Sequence, residues 1–397
     1  MRLLIAGGGT GGHIYPALAV ARSLRARPDA PELAWLGGRR GLEAGLVRSA
    51  GIPFDRLLLR SLRTVDRSLA TLLDPVRLAV SVPQAAAWLA RHRPAAIFTT
   101  GGYVAIPVLL AAEPLGIPVL LWEGNVIPGR SVRATARFAD VVAVSFAGTC
   151  AALGRAIAPS AGAATGVSRV RPCYLTGTPI RDTRQIDREA ARARFGVPPG
   201  ARLLLVFGGS QEVRRFNAAV AEALPRLVER VHVIHVTGEP AYGAALAGRE
   251  RLPAGLRERY QPYPFLRDEM LDALAAADLV VGRAGSSTLA EVTALGLPIV
   301  VVPYPHAAGH QRANARLLVE AGAARLVEDE QFDAAALLDA AALLDDPAAH
   351  LRMSAASRAL GRPAAAEVVA DLLLALAERR PLPDPAAVER RSRGQGA

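Results

Sequence analysis

Apolar residues run along this chain in short unbroken blocks, each closed by a glycine or a polar loop and followed by a stretch of helical spacing. Residues 2–6, RLLIA, read as a buried strand running into Gly7, with a helix from about Tyr15 to Arg27. A second strand spans Glu32 to Gly38, and further strands are expected at Ala95–Thr99, Pro118–Trp122 and Asp140–Ser145. Strand, loop and helix in this alternation predict a parallel, doubly wound sheet.

Residues Ala158 to Pro172 are rich in Pro, Gly, Ser and Ala, carry no period and read as a linker. The pattern then restarts with ARLLLVFGGS (201–210), HVIHVTG (232–238), DLVVGRAG (278–285) and LPIVVVPYP (297–305). The expected fold is α/β, with two Rossmann-like doubly wound domains, residues 1–165 and 173–361, facing each other across a cleft. A helix at about 362–380 is expected to complete the first domain. The Pro-, Arg- and Gly-rich stretch 381–397 is expected to be disordered.

A length of 397 residues suits two domains, and 51% hydrophobic with 21% charged residues is globular composition. Arg2 is followed by only LLIA before the glycines, so no secretion signal is expected. The longest apolar stretch, Ala95 to Trp122, is broken by glycines, prolines and Glu113, too often for a membrane span. Cys150 and Cys173 have no metal-ligand spacing and are expected as free thiols of a reducing compartment, one disulfide being the alternative.

The net charge of +11 is carried entirely by arginine, since the chain has no lysine. Its distribution is uneven: residues 1–170 hold 19 Arg against 9 carboxylates, residues 171–397 hold 28 against 27. The first half is therefore expected to meet an anionic partner. No nucleic-acid motif is present and aromatics are 5%, so a membrane surface or a phosphate fits better than nucleic acid.

The chemistry is concentrated in glycine loops. GGGTGGH (7–13) joins the first strand to the first helix, where backbone N–H groups and the helix dipole favour a phosphate. Gly7, Gly9 and Gly12 also satisfy the dinucleotide fingerprint, but the second strand ends in Gly37-Gly38-Arg39-Arg40 with no acid for a ribose. His13 closes the loop and is a candidate general base, its ordinary pKa lying near neutrality. Further glycine loops stand at TTGGYVAIP (99–107) and FGGS (207–210), where Ser210 is a candidate phosphate donor. In GRAGSSTLAE (282–291) a helix is expected to start at Ser286 or Ser287, with Ser287 and Thr288 hydroxyls at a diphosphate and Glu291 on a ribose. The loop 303–315 adds His306, His310, Gln311 and Asn314, the last two suited to sugar hydroxyls; no metal motif is present.

GGGTGGHIYPALAVA, GGYVAIP, EGN (123–125), GTPIR (177–181), GGSQ (208–211), RAGSSTLAE and HQRANA stand in the order found in the MurG family, which this chain resembles from Arg2 to about Leu376. The resemblance implies a GT-B fold and an inverting transfer of GlcNAc from UDP-GlcNAc to lipid I, undecaprenyl-pyrophosphoryl-MurNAc-pentapeptide, forming a β-1,4 bond. It implies a step in peptidoglycan synthesis, and so in cell-wall biogenesis, shape and division, by a peripheral protein on the cytoplasmic face of the plasma membrane. The first domain would then face acceptor and membrane, and the second would bind the donor. No cofactor is implied.

The family's donor contacts carry over to Thr10, Gly11, Gly12, Asn125, Arg181, Ser210 and Gln311, with Ser286, Ser287, Thr288 and Glu291 on diphosphate and ribose and the backbone of Leu266 facing uracil. His13 matches the histidine proposed to assist acceptor attack, and Glu123 is the competing base. The chain departs from the family's HEQN with Trp122-Glu123-Gly124-Asn125, and has Glu212 after GGSQ. Alternatives are a related transferase on another lipid, a UDP-GlcNAc epimerase and an NADP-dependent dehydrogenase. For the membrane, Leu69, Leu72, Leu73, Val76 and Val80 at helical spacing beside Arg63, Arg67 and Arg77 mark the expected docking segment, a core-facing helix being the plainer reading.

Overall fold

The computed structural model describes residues 1–39, 43–59, 74–154, 171–209, 213–305, 307 and 309–395. They form two compact units, one of Met1–Arg181 with Arg362–Ala397 and one of Asp182–Gly361.

The first unit is built on a parallel sheet of seven strands: β1 (Arg2–Ala6), β2 (Glu32–Gly37), β3 (Phe54–Arg56), β4 (Ala96–Thr99), β5 (Val119–Glu123), β6 (Val141–Val144) and β7 (Cys173–Leu175), in the order β3-β2-β1-β4-β5-β6-β7. The second unit carries a six-stranded parallel sheet: β8 (Leu203–Phe207), β9 (His232–Val236), β10 (Tyr260–Tyr263), β11 (Leu279–Gly282), β12 (Ile299–Val301) and β13 (Ala324–Leu326), in the order β10-β9-β8-β11-β12-β13. Apart from Arg2 at the start of β1, the central strands are buried along their whole length, because helices cover both faces. Two apolar clusters in each unit, one per sheet face, make up the core, with Trp35 and Trp122 on one face of the first sheet. Each large side chain so buried contributes about 1.5–3 kcal/mol.

In both sheets the winding reverses once, between β1 and β4 and between β8 and β11. Loops leaving the carboxyl ends of adjacent strands there run to opposite faces, so a crevice opens between them. The loops at these points are 7–10 and 100–104 in the first unit, and those following Phe207 and Gly282 in the second. Four of the glycine-bearing segments singled out in the sequence therefore stand at the switch points.

Three expectations are corrected. The boundary falls at Arg181, not in 165–173, because β7 pairs with β6 and completes the first sheet. The stretch expected to be disordered, 381–397, is ordered over its described residues 381–395: it contains the helix Pro385–Ser392, with Asp384 accepting from Ala387 N–H at 3.0 Å and Val388 buried against the first sheet's core. Arg362 fastens that helix through Ser392 Oγ at 2.7 Å and Glu389 at 2.9 Å. The cysteines are not free thiols: Cys150 and Cys173 are joined as a disulfide, both buried. Of the linker Ala158–Pro172, residues 158–170 lie outside the described residues.

Candidate functional site

In the first unit the helix Gly11–Arg25 starts directly from the glycine loop, with Thr10 at its N-cap position. Ile14, Ala17, Leu18, Ala21 and Leu24 face the core, which leaves Thr10, Gly11, Gly12 and His13 at the accessible end. His13 Nδ1 lies 2.7 Å from the carbonyl of Thr100, and Thr100 Oγ1 donates back to the carbonyl of His13 at 2.9 Å. A carbonyl can only accept, so in the neutral ring Nδ1 carries the proton and Nε2 the lone pair. That is the tautomer a general base needs. The ring rests on Gly101 and Gly102, both at positive φ (81° and 78°): a Cβ on Gly102 would stand 3.7 Å from its Cδ2 and 3.1 Å from the carbonyl of Gly8.

The same loop does not offer all its amides to a ligand. Gly9 N–H donates to Glu43 at 3.3 Å, and Glu43 also accepts from Gly38 N–H and the Tyr103 hydroxyl. A Cβ on Gly8 would meet the Glu43 carboxylate at 2.6 Å, so the space a dinucleotide's pyrophosphate would need against this loop is filled by protein. Burial and the Glu43 charge push the Tyr103 phenol above its ordinary range, which keeps it a donor.

Glu123 ends β5 and is buried. Its Oε1 accepts from the backbone and side-chain N–H groups of Asn125, both at 2.9 Å, and its Oε2 accepts from Gly129 N–H at 2.9 Å. The carboxylate thus shapes the turn that carries Asn125, and Thr149 Oγ1 holds the Asn125 carbonyl from the other side at 2.9 Å. Trp122, where the family pattern has histidine, is buried and donates its indole N–H to the Gly177 carbonyl at 3.0 Å. Arg181 stands half-buried at the end of this unit.

In the second unit the helix Ser286–Leu295 opens behind Gly285 and closes on Gly296 in the left-handed region. Its first-turn N–H groups lack intrahelical partners by construction. Ser286, Ser287, Thr288 and Glu291 are half-buried on its first turns, and Ser287 Oγ is enclosed without a hydrogen-bond partner among the described residues. Gln311, in the first turn of the helix His310–Glu320, accepts from Tyr304 N–H through Oε1 at 2.9 Å, which directs its carboxamide toward the loop after β12. Leu266 is buried in the core of this unit, beside the exposed Phe265. Asn314 is fully buried and so does not present itself to a sugar, a correction to the expectation for that loop. Ser210, Gln211, Glu212 and His306 lie outside the described residues. Among the described residues no cluster of His, Cys, Asp or Glu could hold a metal ion.

Two residues with no role in the sequence reading stand out. Glu43 is one. Arg283 is the other: buried, paired with Asp329, donating to the Val302 carbonyl at 3.2 Å and lying over the rings of Phe216 and Tyr304. It ties the loop after β11 to the loop after β12. The usable signal was a lone arginine directly after a buried strand, where a charge stays only if it is paired.

Residues 3–144 match the glycosyltransferase family 28 N-terminal domain and residues 203–369 the family 28 C-terminal domain. A protein of Desulforudis audaxviator is 39% identical over 95% of this chain and 99% of its own length, and one of Moorella thermoacetica 38% over 95% and 100%. Both are named UDP-N-acetylglucosamine–N-acetylmuramyl-(pentapeptide) pyrophosphoryl-undecaprenol N-acetylglucosamine transferase. The crystal structure of Acinetobacter baumannii MurG superposes with a TM-score of 0.71 at 29% identity, covering 94% of this chain and 99% of that one. A Listeria monocytogenes structure titled as a UDP-N-acetylglucosamine 2-epimerase reaches 0.65 at 16% identity, covering 96% and 97%, a likeness of fold alone. With both family domains present and such relatives matched over nearly their whole length, the chain belongs to glycosyltransferase family 28, in its MurG branch.

Proposed function

We propose that this chain transfers GlcNAc from UDP-GlcNAc to the MurNAc 4-hydroxyl of lipid I, giving lipid II and UDP. His13 Nε2 takes the hydroxyl proton as the oxygen attacks the anomeric carbon from the face opposite UDP. The bond from that carbon to the β-phosphate oxygen breaks, UDP leaves with the electron pair, and the configuration inverts. The observation that carries the assignment of the base is the bond between His13 Nδ1 and the Thr100 carbonyl at 2.7 Å. Glu123 has both oxygens committed to N–H groups of Asn125 and Gly129, which suits a loop anchor better than a base.

On the donor side, the N–H groups and hydroxyls of Ser286, Ser287 and Thr288 take the diphosphate, where the helix dipole favours the charge growing on the leaving UDP. Glu291 takes the ribose hydroxyls, the Leu266 backbone faces uracil and Gln311 reads the sugar. Thr10, Gly11, Gly12, Asn125, Arg181 and Ser210 complete the donor contacts. The relatives at 38–39% identity carry the transferase name, whereas the epimerase likeness is one of fold alone, which favours transfer over epimerisation.

The product places the protein in peptidoglycan synthesis, acting peripherally on the inner face of the plasma membrane. No helix among the described residues is long and apolar enough to cross a membrane. The helix Asp74–His92 turns Val76 and Val80 to solvent, 58% and 44% exposed, and buries Ser81, Ala85 and Leu89 instead, which supports docking over a core role for that face. The rest of the expected docking segment, with Arg63, Arg67, Leu69, Leu72 and Leu73, lies outside the described residues. Incubation with labelled UDP-GlcNAc and a lipid I analogue tests the function: a labelled lipid disaccharide and free UDP are expected. GlcNAc converted to its epimer without transfer would overturn the reading.

A further inference from the structure

Glu43 opens the helix Glu43–Ser49 and is fully buried, an environment a carboxylate tolerates only when donors surround it. Among the described residues its donors come from three segments: Gly9 N–H in the loop after β1, at 3.3 Å from Oε2; Gly38 N–H just after β2, at 3.1 Å from Oε1; and the Tyr103 hydroxyl in the loop after β4, at 3.0 Å from Oε1. The neighbouring glycines pack directly against it. A Cβ on Gly8 would stand 2.6 Å from Oε1, one on Gly37 3.1 Å from Cγ, and one on Gly38 2.0 Å from the Tyr103 hydroxyl. Gly9 itself sits at φ 101°, a conformation the bond to Glu43 helps to hold. The loops after β1 and β4 are also the two that His13 bridges, since it leaves the first and its ring is fixed on Thr100 in the second.

We propose that Glu43 is a positioning residue for the transfer: an internal anion that locks the two switch-point loops of the first unit together and so fixes the imidazole of His13 against the acceptor. This rests on the reading of His13 as the base. Fully buried, Glu43 acts through the loops and not on a substrate. Because its donors are two backbone amides and a phenol held in its protonated form, the lock is a charged acceptor shared by three segments, and an amide cannot replace it. Whichever way the carboxamide of Glu43→Gln lies, its NH2 faces a backbone N–H.

The test is steady-state transfer with UDP-GlcNAc and a lipid I analogue, combined with UDP calorimetry on the full chain. Glu43→Gln is expected to lower kcat roughly 10- to 100-fold, the range for a reacting group displaced by about an ångström. The affinity for UDP is expected to stay within about twofold, because the groups proposed for diphosphate, ribose and uracil, on Ser286, Ser287, Thr288, Glu291 and Leu266, are carried by the second unit. In a His13→Ala background the same substitution is expected to cost less than about twofold more, since groups acting as one unit are non-additive. Glu43→Gln at wild-type kcat, or an undiminished extra loss on top of His13→Ala, overturns the proposal. Should Glu43→Gln fail to fold, Tyr103→Phe removes one of the three bonds and keeps both backbone ones. It is expected to lower kcat severalfold with UDP affinity kept, and wild-type kcat there overturns the proposal equally. No transfer by the unaltered protein overturns the functional reading itself, and this proposal with it.

Discussion

His13, in the first turn of the helix after β1, and Glu123, at the end of β5, both stand at the carboxyl edge of the first sheet, yet their surroundings prepare them for different tasks. His13 has one ring nitrogen fixed by a carbonyl, whereas Glu123 has both oxygens bonded to its own turn. His13→Ala is therefore expected to cut kcat by roughly 10²–10⁴-fold, the usual contribution of a positioned base, with UDP binding kept. A mild His13→Ala beside a severe Glu123→Gln would exchange the roles. In the second unit, Glu291→Ala is expected to weaken UDP itself, a charged hydrogen bond being worth about 1.5–3 kcal/mol, while Gln311→Ala raises the KM for UDP-GlcNAc and spares inhibition by UDP. Equal loss of both ligands in Gln311→Ala would place that side chain on the nucleotide. His235 gives a pH signature away from the chemistry. Burial pushes its imidazole down to about 3, with Nδ1 bonded to the Tyr260 hydroxyl at 2.9 Å. The unfolded chain binds that proton near pH 6.5 and the folded one only near 3, so stability is complete above 6.5 and falls as pH drops through this window. The loss is at most about 1.4 kcal/mol per pH unit. The cost of His235→Gln in urea unfolding should accordingly shrink between pH 7 and pH 5; an unchanged cost would mean that the two states protonate alike.

At the scale of elements, the strands that the apolar blocks announce are the inner strands of both sheets. The four they do not announce, β3, β7, β10 and β13, are the sheet edges. Edge strands are paired on one side only, and here Asp55, Gln261 and Arg325 break the apolar run in three of the four, while the fourth, Cys173–Leu175, is only three residues between Pro172 and Thr176. The terminal helix Pro385–Ser392 escaped for another reason: its arginines and prolines resemble a disordered tail in composition, while the Asp-Pro at its start is a helix-initiating signal. Asp384→Ala, which removes the acceptor for Ala387 N–H, is expected to lower stability by about 0.5–2 kcal/mol with transfer kinetics unaltered. A change in kcat without a change in melting would give this helix a direct part in the reaction.

For the whole molecule, the sequence shows an excess of arginine in the first half, and the structure qualifies it. Arg77 is paired with Asp74 at 2.7 Å, so its charge is partly offset, while Val76 and Val80 of the same helix stand in solvent. Sedimentation with anionic vesicles is expected, reversed by salt because exposed charges are screened within about 10 Å at 0.1 M. Val76→Asp with Val80→Asp should weaken it with UDP binding intact. Salt-insensitive binding, equal on neutral vesicles, would remove the electrostatic part. The sequence by itself determined the parallel α/β class, the two halves, and the glycine loops with His13, Ser286–Glu291 and Gln311, because strand burial and helix-terminus chemistry are written locally in residue order. Only the tertiary structure decided which tautomer His13 adopts, that Glu123 is spent on its own turn, that Asn314 is buried and that Glu43 and Arg283 tie loops together. Each of these depends on a partner that is distant in sequence, or on a direction in space, and residue order alone records neither.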